Sequence, residues 1–217
     1  MRLFCLFLVL SLLSVPAAEP KRILVLGDSI AAGYGLDEEE AFPALINEKI
    51  QQAGLHYTVV NAGVSGDTTA GGLRRIGWLL RQPVEILILE LGGNDGLRGI
   101  SPEETEKNLS GIIDKVREKY PAARIVLTGM QMPENMGAEY TVKFRELFGR
   151  VAKEKKAVLV PFLLEGVGGK AELNQLDRIH PTAEGHQVVA ENLWKTLRPL
   201  LERSEKAAKK ATPPLGS

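Results

Sequence analysis

Short apolar runs alternate with longer amphipathic stretches from Lys21 to Leu201, and this alternation limits the possible folds more than any other feature of the chain. The apolar runs are Ile23–Leu26, Tyr57–Val60, Ile86–Leu89, Ile125–Thr128 and Val158–Val160. They are β-branched or leucine-rich and polar mainly at their edges, as strands buried on both faces of a parallel sheet must be. Helical candidates lie between them at Ala41–Ala53, Thr69–Arg81, Pro102–Lys119 and Tyr140–Lys155. A last one, Ala183–Leu201, carries Val189, Leu193, Leu197 and Leu200 at helical spacing. Ser101, Pro102 and Glu104 form a start signal: a capping hydroxyl, a proline whose missing N–H would be unpaired anyway, and an acid at the third position. Five strand–helix alternations predict a three-layer α/β/α fold. Its five-stranded parallel sheet is expected in the order 2-1-3-4-5, with helices on both faces.

The two ends read differently. Arg2 precedes an apolar run, Leu3–Val15, broken only by Ser11 and Ser14, and small residues follow around Ala17. A positive, then apolar, then small-residue segment predicts a secretory signal over residues 1–18, cut after Ala17 or Ala18. The run is short for a bilayer span, and an uncleaved anchor is the alternative. Cys5 is the only cysteine and falls inside it, so the domain over 19–202 is expected to lack thiols and disulfides. Residues 203–217, with Lys-Ala-Ala-Lys-Lys and Thr-Pro-Pro-Leu-Gly-Ser, predict a solvated, disordered tail. A transient contact of that basic segment with membrane lipid is the second reading. Net charge zero and 6% aromatic residues argue against a nucleic-acid partner. The sequence is silent on oligomeric state.

In a parallel α/β sheet, functional groups gather at the carboxyl ends of the strands. Gly27-Asp28-Ser29 follows the first strand, Ser65-Gly66-Asp67-Thr68 the second, and Gly92-Gly93-Asn94-Asp95 the third. Asp177-Arg178-Ile179-His180-Pro181 precedes the last helix. Serine catalysis needs a hydroxyl, an imidazole to take its proton, a carboxylate to hold that imidazole, and donors aimed at the oxyanion. Singly, each residue has a plain structural meaning: a turn, a glycine permitting positive φ, a helix cap. Together they predict Ser29 as nucleophile, His180 as base and Asp177 as its orienting carboxylate, with Gly66 and Asn94 offering donors. Asp28, Asp67 and Asp95 are expected to hydrogen-bond within these loops, in preference to a calcium cluster. His56 reads as a surface residue and His186 as part of the last helix's packing. Gly33 and Gly35 lack the third glycine of a dinucleotide fingerprint, and Gly168-Gly169-Lys170 lacks the rest of a phosphate loop. Three dispersed histidines make no transition-metal set, so no metal and no cofactor is expected.

These four segments resemble the four sequence blocks of the SGNH (GDSL-type) hydrolases, mapping the family letters to Ser29, Gly66, Asn94 and His180. The likeness runs from Arg22 to about Leu201. Ser-Gly-Asp-Thr-Thr and Leu-Glu-Leu-Gly-Gly-Asn-Asp-Gly-Leu-Arg-Gly resemble the branch of bacterial periplasmic thioesterase/lysophospholipases and arylesterases. The resemblance implies a flavodoxin-like fold and an oxyanion hole made by the Ser29 and Gly66 N–H groups and the Asn94 amide. It also implies a periplasmic serine hydrolase that cleaves small acyl esters or thioesters through an acyl-enzyme on Ser29. A carbohydrate O-deacetylase on the same scaffold is the alternative. A non-enzymatic binding module is disfavoured, because a binder needs no Ser-His-Asp set. Leu97 and Ile100 after the third strand, and Met130, Met132 and Pro133 after the fourth, are the expected acyl groove, since methionine adapts to varied apolar ligands. The competing reading is that they plug the end of the core.

Overall fold

The apolar runs become a single sheet because each leaves no polar face to present to water. The computed structural model describes residues 19–211, with side chains to 207. The expected signal segment, 1–18, and residues 212–217 lie outside the described residues. The strands are β1 (Lys21–Gly27), β2 (Tyr57–Gly63), β3 (Ile86–Glu90), β4 (Arg124–Thr128) and β5 (Val158–Val160), all parallel, in the order β2-β1-β3-β4-β5. The α/β class, the five parallel strands and their order agree with the sequence reading. β3 is buried along its whole length, whereas β2, at the edge, is half-buried after Tyr57. Pairing of Gly27 with both Gly63 and Glu90 brings three strand ends level, which forms the floor of the site described below.

The helices are α1 (Ser29–Ala32), α2 (Phe42–Gln52), α3 (Thr69–Leu79), α4 (Gly93–Leu97), α5 (Pro102–Lys119), α6 (Ala138–Glu154) and α7 (Ala183–Ala211). α2 packs on α7, while α5 packs on both α3 and α6, giving the two outer layers. The start signal of α5 operates as read: Ser101 Oγ accepts the Glu104 N–H at 3.2 Å, and Pro102 opens the helix. α1 and α4 were not legible as helices, because one turn is too short to show a 3.6-residue period. At Gly63 the absence of a side chain matters, since a Cβ there would overlap the Ala32 backbone nitrogen. β2 can therefore end directly against α1.

The expected disordered tail from residue 203 needs correction. α7 continues to Ala211. Ser204 is buried on the same face as Leu197 and Leu201, its Oγ donates to Leu200 O at 2.8 Å, and Glu205 accepts the His56 N–H at 2.6 Å. The helical stripe thus runs one turn past Leu201, and the Lys/Ala segment that follows favours helix.

Candidate active site

β1 ends at Gly27 and the chain turns sharply into α1, whose first residue is Ser29. Asp28 caps that helix, its Oδ1 accepting the Ile30 N–H at 3.0 Å. On the opposite side, the loop before α7 is closed by an antiparallel bridge between Asn174 and Pro181. The Gln175 N–H donates to His180 O at 2.7 Å, and Gln175 Nε2 donates to Tyr34 O at 2.6 Å and Pro181 O at 3.1 Å. Arg178 takes a left-handed conformation, φ 60°, so the loop folds back on itself. Asp177 Oδ1 accepts the N–H groups of Ile179 (2.9 Å) and His180 (3.0 Å), and Oδ2 lies 2.7 Å from His180 Nδ1. The His180 bonds and the Ile179 N–H hold the Asp177 carboxyl down at about 2. It is therefore an ionised acceptor, which puts the imidazole proton on Nδ1 and leaves the Nε2 lone pair free. His180 Nε2 is 2.9 Å from Ser29 Oγ. The Tyr34 ring lies 4.5 Å from the imidazole, tilted by 39°, and walls one side.

The donors predicted for an oxyanion sit on loops tied to the turn that carries Ser29: the Val64 N–H donates to Gly27 O at 3.1 Å, and the Asn94 amide donates to Asp28. Gly66 has φ +79°, and neither its N–H nor that of Ser29 has an acceptor among the described residues. Arg98 Nη2 donates to Gly66 O at 2.9 Å and holds the following peptide. Asn94, near the start of α4, donates one amide hydrogen to Asp28 Oδ2 at 3.2 Å, leaving the second for a ligand. Asp28 is buried, and burial raises its carboxyl to about 6 against the pull of the Ile30 and Asn94 N–H groups. Asp95 binds Thr69 through both its N–H (2.8 Å) and its hydroxyl, tying the loop of Gly66 to α4. Asp67 pairs with Arg75 at 2.7 Å, whose other nitrogens donate to Ala62 O and Gly27 O. All three aspartates thus hydrogen-bond within the loops, as expected from sequence.

The acyl-groove residues separate. Leu97 and Pro133 are exposed, and Ile100 and Met132 are half-buried. Met132 covers α4, so that a Cβ on Gly96 would overlap its sulfur. Tyr140 Oη donates to Gly96 O (3.2 Å) and Ile100 O (2.8 Å), which anchors this loop to α6. Met130 does not line a groove: it is 3% exposed in the core. Its position follows from sheet pairing that runs past β4, with Gly129 donating to Val160 O at 2.7 Å, so that Met130 stays inside the layer. His186 packs as expected: it is stacked on Phe42, and its Nδ1 accepts the Phe42 N–H at 3.1 Å. His56 is exposed. Sequence reasoning overlooked Tyr34, Gln175 and Glu90. For Glu90 the signal was a charged residue inside the buried run Ile-Leu-Ile-Leu-Glu-Leu.

The model of the GDSL-like lipase/acylhydrolase family matches residues 25–188. The chain is 44% identical over 198 residues to the esterase TesA of Pseudomonas aeruginosa, covering 91% of this chain and 96% of that protein. It is 41% identical over 197 residues to thioesterase 1/protease 1/lysophospholipase L1 of Escherichia coli K12, covering 90% and 92%. A crystal structure of TesA superposes with a TM-score of 0.80 at 44% identity, over 83% of this chain and 100% of that one.

Proposed function

The chain belongs to the GDSL-like lipase/acylhydrolase family and is a carboxylic ester hydrolase of the esterase/thioesterase type, and on that premise we propose that it works through an acyl-enzyme on Ser29. The observation that carries this reading is the continuous line Ser29 Oγ–His180–Asp177, with steps of 2.9 and 2.7 Å. Ser29 Oγ attacks the acyl carbon while its proton passes to His180 Nε2. The carbonyl oxygen, now negative, is held by the Ser29 and Gly66 N–H groups and the free Asn94 hydrogen. His180 then gives its proton to the leaving alkoxide or thiolate. Water, deprotonated by the same nitrogen, attacks the acyl-enzyme and releases the carboxylic acid.

Relatives named as an esterase and as a thioesterase/protease/lysophospholipase support small acyl esters and thioesters as the substrate class. Leu97, Ile100, Met132 and Pro133 are the acyl contacts we propose, after the loss of Met130 to the core. Each methylene they bury adds about 0.8 kcal/mol, roughly fourfold in kcat/KM. A series of p-nitrophenyl esters and acyl thioesters tests this. Medium chains should exceed acetyl by more than about tenfold, and Leu97→Ala should flatten the difference. Acetyl esters as the best substrates would contradict the lipidic reading and favour a deacetylase. The leader Leu3–Val15, outside the described residues, supports export and action in the periplasm.

A further inference from the structure

Glu90 closes β3 in the middle of the sheet, and its side chain is out of reach of solvent. Its partner on β1 is Gly27, where a Cβ would overlap Glu90 Oε2. The glycine lets the carboxyl slide beneath the nucleophile turn, and there Oε2 accepts the Asp28 N–H at 3.1 Å. Glu90 Oε1 has no hydrogen-bond partner among the described residues. Asp28 uses both of its own carboxyl oxygens, one on the Ile30 N–H and one on the Asn94 amide. Two buried carboxyls therefore flank the peptide that leads into Ser29.

We propose that Glu90 is a positioning residue for Ser29 and Asn94 and that it acts in its protonated, neutral form, leaving the single negative charge of the pair on Asp28. The surroundings set this division. A charged Asp28 keeps two donors, the Ile30 N–H and the Asn94 amide, and Asp67, a like charge acting on it, is itself paired with Arg75 of α3. Among the described residues Asp28, of like sign, is the charged group acting on Glu90, and the carboxyl's one donor is the Asp28 N–H. Burial, then Asp28, raise Glu90 well above the usual carboxylate range, whereas Asp28 stays at about 6. A neutral Glu90 grips the Asp28 N–H without placing a second anion under a developing oxyanion. The charged Asp28 meanwhile holds the Asn94 amide so that its second hydrogen faces the site.

The kinetic half of the test rests on the acyl-enzyme reading, and the spectroscopic half stands alone. Glu90→Gln retains shape and an acceptor oxygen but cannot ionise. Its kcat should stay within about threefold of the wild type, with KM unchanged. Glu90→Ala leaves the Asp28 N–H without its acceptor and should lower kcat by about tenfold or more at unchanged KM. Infrared spectra of the wild type at pH 7.5 should contain the C=O stretch of an un-ionised carboxylic acid, and Glu90→Gln should lack it. A folded Glu90→Gln that loses tenfold or more in kcat would overturn the proposal. So would a wild-type spectrum without the acid band, whether or not the variant folds. A wild type with no esterase turnover would refute the acyl-enzyme reading and leave the band to decide the state of Glu90.

Discussion

Beyond the line from Asp177 to Ser29, the proposed mechanism gives Asn94 a role that one substitution can test. Its amide has one hydrogen on Asp28 and one free, so in the proposed mechanism truncation removes an oxyanion donor. Asn94→Ala should lower kcat by roughly 100- to 1,000-fold with little change in KM, as steady-state kinetics would show. His186 has a different signature. Burial lowers its imidazole to about 4, so between the ordinary histidine value and 4 the unfolded chain binds a proton that the folded chain does not. Its stabilising contribution is full above the unfolded value and is lost as pH falls towards 4. The stability advantage of the wild type over His186→Gln should shrink by about 2–3 kcal/mol between pH 7 and pH 4.5 in urea titrations. Ser29, Gly66 and Asn94 stand out in the sequence because each follows a strand, and Asp177 and His180 because they lie three apart before α7; the structure brings Ser29, His180 and Asp177 into one line. The place of Met130 was not legible, since burial of a methionine depends on how far the sheet pairing runs, which sequence does not state.

At the scale of elements, the nucleophile depends on α1, and α1 depends on the glycine it leans against. A methyl on Gly63 must push Ala31 and Ala32 away from β2, and Ser29 opens that same single turn. Gly63→Ala should cost about 1–3 kcal/mol of stability and slow fluorophosphonate labelling of Ser29. Gly149→Ala in α6, with nothing within 4 Å of the added carbon, should leave labelling unchanged and stabilise slightly. A melting curve and a labelling time course on both variants check the pair. The strands and long helices were readable because each shows several periods of its pattern. α1 and α4 show barely one: α1 is capped locally by Asp28, and α4 starts where Gly92 meets the Phe148 ring and Gly93 meets Asp28, contacts distant in sequence.

For the whole molecule, the order of the strands decides what meets. β1 lies between β2 and β3, so the segments carrying Ser29, Gly66 and Asn94 emerge side by side. The loop before α7 brings Asp177 and His180 to them across 151 residues of sequence, tied down by Gln175. The Asp177 carboxyl, lowered to about 2, is charged above the ordinary aspartate value and loses its charge only as pH falls through about 2. Acid loss of activity above that range therefore does not come from Asp177. The central claim is that this assembly makes one hydroxyl nucleophilic, and covalent labelling with a fluorophosphonate tests it most directly. Mass spectrometry should place a single adduct on Ser29, with Ser29→Ala losing both label and turnover. An adduct on another residue, or turnover retained by Ser29→Ala, would contradict it.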